Sequence, residues 1–180
     1  MPSSPFLMEN LANRDCIREA SFVVELGPGA GGTTCAILSQ MRADSQLLAI
    51  EKTEAFLEAL QQIDDPRLTT VIGDASDLAD ILQKYGNESP DVVVSGIPFS
   101  SIPAPVAKAI TRSIHQTLKP GGTFIAYQMR NDITRLAEPY FGTARTDSVA
   151  LNLPPLHVYA WRKMAAGGFR SVLPVSPQNP

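Results

Sequence analysis

From Phe22 onward, short apolar runs alternate with longer segments of helical period, and this alternation restricts the chain to α/β folds built on a largely parallel sheet. The first unit is the clearest. Phe22-Val23-Val24-Glu25-Leu26 reads as a buried strand, Gly27-Pro28-Gly29-Ala30-Gly31-Gly32 as a tight turn, and 33–41 as a helix with apolar residues at helical spacing. Two more units follow: a strand over 47–50 with a helix over 54–63, and a strand over 68–72 with a helix over 77–85. Each helix opens near an acidic or hydroxyl residue able to cap free backbone N–H groups. A fourth strand over 91–95 runs into Gly96-Ile97-Pro98-Phe99-Ser100-Ser101-Ile102-Pro103-Ala104-Pro105, whose prolines preset φ and stiffen the loop before a helix over 106–118. Lys119-Pro120-Gly121-Gly122 stops that helix and leads into a fifth strand over 123–129. The run 133–141 reads as helix. The runs 144–151 and 157–162 read as a closing antiparallel pair, joined through Leu153-Pro154-Pro155-Leu156.

With 180 residues, 44% of them hydrophobic, the chain suits one compact domain and is too apolar for a disordered one. It contains no apolar run of the roughly 18 residues that a membrane-spanning helix needs. Fifteen Lys and Arg against eighteen Asp and Glu give a net charge of -3 and a pI near 5.3, the wrong sign for a domain that lives on phosphate backbones. Nucleic acid is thus a disfavoured partner. Cys16 and Cys35 have neither C-x-x-C spacing nor neighbouring histidines, so no metal site is expected, and a reducing, cytoplasmic setting is. The expected organisation is a cap segment over 1–20, a catalytic domain over 21–164 and a flexible tail, rich in Gly, Pro, Ser and Asn, over 165–180. Within the cap, Ser3 or Ser4 can cap a short helix with Pro5 in its first turn and Phe6, Leu7, Met8 and Leu11 as its apolar stripe.

The glycine turn lets a ligand approach the backbone, but Gly27, Gly29 and Gly32 also satisfy G-x-G-x-x-G, the spacing of nicotinamide and flavin sites. Glu51, ending the second strand, suits ribose hydroxyls in either case. The surrounding charge distinguishes the two. Glu25 precedes the turn and Asp74 follows the third strand, so three acids are expected at one rim with Lys52 as the nearby cation. Such a rim opposes a pyrophosphate. It suits S-adenosylmethionine, which is cationic at its sulfonium and ammonium groups and donates from its adenine amine.

The ordered segments Val24-Glu25-Leu26-Gly27-Pro28-Gly29-Ala30-Gly31, Ile50-Glu51-Lys52, Gly73-Asp74-Ala75 and Leu118-Lys119-Pro120-Gly121-Gly122 resemble the motifs of class I S-adenosylmethionine-dependent methyltransferases. The resemblance runs from about Phe22 to Arg162. It implies a Rossmann-like three-layer sandwich around a seven-stranded, mostly parallel sheet with one antiparallel strand. It also implies that Gly27, Gly29 and Gly31 pass beneath the methionine part of the cofactor, that Glu51 holds the ribose, and that Asp74 with Ala75 borders the adenine. Glu25, Lys52 and Ser95 complete the expected cofactor set.

Ser95-Gly96-Ile97-Pro98-Phe99 resembles the Asn-Leu-Pro-Tyr type loop of amino-directed methyltransferases, with Gly96 in place of the Asn. Taken with Pro2-Ser3-Ser4 and Asn152-Leu153-Pro154-Pro155, it is similar to bacterial phospholipid N-methyltransferases, which methylate the amine of phosphatidylethanolamine. The implied acceptor site comprises backbone groups of Gly96, Ile97 and Pro98, the face of Phe99 for a developing ammonium, and Tyr127. The expected partner is an amine-bearing lipid or small molecule, met through transient contact with a membrane surface. The basic amphipathic helix of that family is not seen ahead of Ser3-Ser4. A soluble amine, a ribosomal RNA adenine, a silent cofactor-binding regulatory module and a weaker dehydrogenase reading remain as alternatives. His115 reads as a surface residue and His157 as a structural one.

Overall fold

The structure is a computed structural model, and it describes residues 14–86, 88–149 and 156–165. The expected capping helix around Ser3 to Leu11, the Leu153-Pro154-Pro155 link and nearly all of the tail lie outside these residues. The elements run α1 (Asp15–Glu19), β1 (Phe22–Leu26), α2 (Gly32–Gln40), β2 (Gln46–Glu51), α3 (Leu57–Gln61), β3 (Leu68–Ile72), α4 (Leu78–Lys84), β4 (Val92–Ser95), α5 (Ala104–Thr117), β5 (Thr123–Gln128), α6 (Asp132–Phe141), β6 (Arg145–Val149) and β7 (Leu156–Arg162). A short 3-10 turn at Glu54–Phe56 replaces the first turn of the helix expected over 54–63, and another at Ala75–Asp77 leads into the helix expected over 77–85.

One seven-stranded sheet carries the molecule, in the order β3-β2-β1-β4-β5-β7-β6. β1 to β5 pair in parallel where they adjoin. β7 is antiparallel to both β5 and β6, which makes it the one reversed strand, as expected. The central strands are buried on both faces, which is why they read as continuous apolar runs rather than alternating ones. Period 2 then divides their side chains between two cores. Val24, Leu26, Val93 and Phe124 pack under α4, α5 and α6, where Phe124 stacks on Trp161 with ring centroids 5.1 Å apart. Val23, Val92, Val94 and Ile125 pack with Ile17, Ile37 and Leu38 on the other side. His115 is half-buried rather than on the open surface, its ring edge-on to Phe141 at 4.9 Å.

Because strand order reverses between β1 and β4, a crevice opens at the carboxyl ends of these strands. Among the described residues, no helix is long and apolar enough to cross a membrane, and no group of His, Cys, Asp and Glu could hold a metal ion.

Candidate active site

The turn after β1 builds the floor. Gly27, Gly29 and Gly31 take φ of 70°, 58° and 84°, left-handed values that side-chain-bearing residues rarely adopt. Gly31 also faces Ile63, whose Cδ1 would lie 2.7 Å from a Cβ there. A cavity of about 300 Å³ lies above the turn, lined on its floor by Gly27 and Gly29. Glu51, Lys52, Asp74 and Ala75 form one wall, Ile50, Ile102, Val106 and Ile110 contribute apolar surface, and Gly96, Ile97 and Pro98 close the edge beside β4.

Glu51 is buried, and its carboxylate accepts hydrogen bonds from Gly29 N (3.0 Å, at Oε2) and Thr53 N (2.8 Å, at Oε1). Each oxygen keeps a further acceptor site for the two hydroxyls of a ribose. Asp74 caps the following 3-10 turn, accepting at Oδ1 from Ser76 N (2.9 Å) and Ser76 Oγ (2.8 Å), while Lys52 Nζ donates to Oδ2 at 2.7 Å. The Lys52 hydrogen bond, helped by those from Ser76, holds the Asp74 carboxyl down to about 2. Lys52 is the one basic residue lining the cavity among the described residues, and its charge is already engaged by Asp74. The wall therefore lacks a spare cation for a pyrophosphate. An apolar slot beside two carboxylates fits the adenosine of S-adenosylmethionine and its cationic end.

Five expected site residues, Glu25, Gly31, Ser95, Phe99 and Tyr127, stand outside the cavity lining. Glu25 is wholly buried behind the turn, accepting from the hydroxyls of Thr33 and, at 2.7 Å, Thr34, so two acids rather than three reach the rim. Burial pushes its pKa up against the pull of those two hydroxyls. Gly31 shapes the start of α2 without lining the cavity, and Ser95, fully buried, accepts from Ile97 N at 3.3 Å. Phe99 corrects the expectation of an exposed ring. It is 3% exposed and packs in the core, so its face is not offered to an ammonium group. Tyr127 Oη lies against Gly96 and 3.4 Å from Thr33 Oγ1.

Gln128 was missed from sequence. It ends β5 buried, donating from Nε2 to the Ile97 carbonyl (2.7 Å) and accepting at Oε1 from Phe99 N (3.2 Å). That bridge holds both sides of Pro98 and fixes the loop at the cavity edge. The available signal was a polar residue closing an otherwise apolar strand, Thr123-Phe124-Ile125-Ala126-Tyr127-Gln128. Phe56, Ile102, Val106 and Ile110 also line the cavity unannounced, being ordinary helical and loop apolar residues in sequence.

Comparison with known proteins accords with this geometry. The family model described as a methyltransferase domain matches residues 23–122. The ornithine lipid N-methyltransferase of Singulisphaera acidiphila is 34% identical over 170 residues, covering 89% of this chain and 85% of that protein. The ribosomal RNA small subunit methyltransferase A of Phenylobacterium zucineum is 35% identical over 86 residues, 47% of this chain and 28% of its own length. Among solved structures, the N-methyltransferase NodS of Bradyrhizobium japonicum WM9 superposes with a TM-score of 0.70 at 14% identity, covering 91% of this chain and 99% of that one. The turn, the acid wall and these similarities lead to one conclusion: the chain belongs to the methyltransferase-domain family and is an S-adenosylmethionine-dependent methyltransferase.

Proposed function

We propose that the protein transfers a methyl group to the amine of a lipid whose headgroup carries a primary alkylamine, of the phosphatidylethanolamine or ornithine-lipid kind. The observation that carries this reading is the reach of the similarity to the ornithine lipid N-methyltransferase. It extends over 89% of the chain and so includes the loop and strands of the acceptor edge, whereas the ribosomal RNA enzyme aligns with 47%. The acidic balance of the chain also disfavours an RNA substrate.

When bound, S-adenosylmethionine supplies a methyl on a sulfonium, and the amine lone pair forms the N–C bond in line as the C–S bond breaks. In this reading Gly27 and Gly29 run beneath the methionine part. Glu51 holds the ribose hydroxyls, and Asp74, Lys52 and Ala75 border the adenine. Glu25 and Ser95 support the turn and the loop from behind, and Gly31 sets the entry to α2. The acceptor edge is Gly96, Ile97 and Pro98. The Ile97 and Pro98 carbonyls already accept from Gln128 Nε2 and Ser101 N, so the Gly96 carbonyl is assigned to orient the amine. Phe99 anchors the loop. The protein's work is alignment of two reactants, worth several orders of magnitude in rate without a strong base. The amine must arrive neutral, and desolvation beside Ile97 and Pro98 favours that form.

Methyl transfer from labelled donor to vesicles containing phosphatidylethanolamine or ornithine lipid, run beside free ethanolamine in lipid-free buffer, tests the reading. Label in lipid is expected. Label in ethanolamine alone would move the acceptor to soluble amines, and no amine product from protein that binds S-adenosylhomocysteine would remove the claim.

A further inference from the structure

Gly96 is a position where space, not backbone conformation, requires glycine. Its φ lies outside the left-handed range, yet a Cβ there would fall inside the Tyr127 hydroxyl, 2.6 Å from Tyr127 Cζ and 2.9 Å from the Gly27 carbonyl oxygen. The phenol thus occupies the volume that a side chain at 96 would fill, beside the backbone of Gly96, which lines the cavity, as Tyr127 itself does not. The two residues meet because each stands one position beyond the Ser95–Ala126 pairing of the parallel strands β4 and β5.

With the Glu25 carboxyl ionised, counting protons gives the direction of the hydrogen bonds behind the phenol. Thr33 Oγ1 gives its single proton to Glu25 Oε1, while Thr34 serves Oε2. Thr33 Oγ1 can then only accept from Tyr127 Oη, 3.4 Å away, so the phenol O–H points at Thr33 and its lone pairs point elsewhere. Burial, reinforced by the charges of Glu25 and Glu51, pushes the phenol up from its ordinary range and keeps that proton in place. The result is a neutral oxygen, oriented by a buried relay, that presents acceptor capacity beside Gly96. A planar aromatic amine also needs a stacking face, and the nearest ring of the loop, Phe99, is buried in the core.

We propose that Tyr127 Oη is the side-chain group that receives the acceptor amine, taking a hydrogen bond from a saturated alkylamine N–H, and that the Gly96–Tyr127 pair selects such amines over planar base amines. This assignment rests on the amine reading above. It goes beyond that reading by naming the contact and the hybridisation of the nitrogen.

Tyr127→Phe removes one oxygen and keeps the ring in place. The expected result with phosphatidylethanolamine and ornithine-lipid vesicles is a fall in kcat/KM of about tenfold, the scale of one lost hydrogen bond, with S-adenosylhomocysteine affinity within about twofold of wild type. A fall smaller than about threefold, or a matching loss of S-adenosylhomocysteine affinity, overturns the assignment, the latter by giving the phenol to the cofactor. A second pair of variants separates space from chemistry. Gly96→Ala should lose turnover by displacing the phenol, and Gly96→Ala combined with Tyr127→Ala should regain room without regaining turnover; recovery in the double variant overturns the proposal. Wild-type protein that binds S-adenosylhomocysteine yet methylates none of the two lipids or ethanolamine overturns the amine reading and this assignment together. An active wild type with an unimpaired Tyr127→Phe overturns the assignment alone.

Discussion

The two halves of the rim are built differently. At the ends of β2 and β3 the chemistry sits on carboxylates, and much of what orients them is close in the chain. Glu51 is held by the backbone of Thr53 and Asp74 by Ser76, each two residues on. At the ends of β4 and β5 the partners come from across the fold: Gln128 clamps Ile97 and Phe99, and Tyr127 fills the space over Gly96. The first half presents charge, the second shape and backbone groups held at fixed positions. Charged wall and shaped edge should therefore fail in different ways when altered.

The largest effect is expected at Glu51. On the proposed assignment, Glu51→Ala removes two charge-assisted contacts to a ribose and frees Gly29 N, so S-adenosylhomocysteine should bind about a hundredfold more weakly by calorimetry. Unchanged affinity would break the assignment of the charged wall. Phe99→Ala comes next and should act on stability, lowering the unfolding free energy by about 3 kcal/mol in a urea melt because the ring is core. A stable variant that loses only turnover would return Phe99 to the acceptor. Gln128→Leu leaves Phe99 N without its partner and the loop unclamped. It should lower kcat/KM for lipid by about tenfold while cofactor affinity stays within about twofold. The smallest effect concerns Asp74. Its folded pKa is depressed to about 2, chiefly by the Lys52 hydrogen bond, so the pair's contribution to stability is present above the ordinary carboxyl value and fades as pH falls through the folded one. Comparing thermal melts of wild type and Lys52→Met, the difference in Tm should be constant above about pH 5 and vanish toward pH 2. A difference that persists at the lowest pH would show that Lys52 acts by some means other than this pair.

The same contrast explains what could be read from the sequence. The strands were legible because central parallel strands are apolar on both faces, and the glycine turn because its residues are contiguous. Glu51 and Asp74 were legible because strand ends place them at the crevice. The same rule puts Glu25 at the rim, but one residue before the last of β1 its side chain points beneath the turn, where Thr33 and Thr34 satisfy it. The legible loop points Phe99 at the acceptor ammonium; the direction of its ring depends on the core it packs into, which the loop sequence does not encode. Gln128 and the Gly96–Tyr127 exclusion depend on strand pairing between distant segments, so no local motif announces them.

The division of labour between the two halves is tested most directly by titrating S-adenosylhomocysteine into Glu51→Ala and Tyr127→Phe side by side. A loss of about a hundredfold is expected in the first and a change within about twofold in the second. Near-normal affinity in Glu51→Ala, or a comparable loss in Tyr127→Phe, would contradict that division.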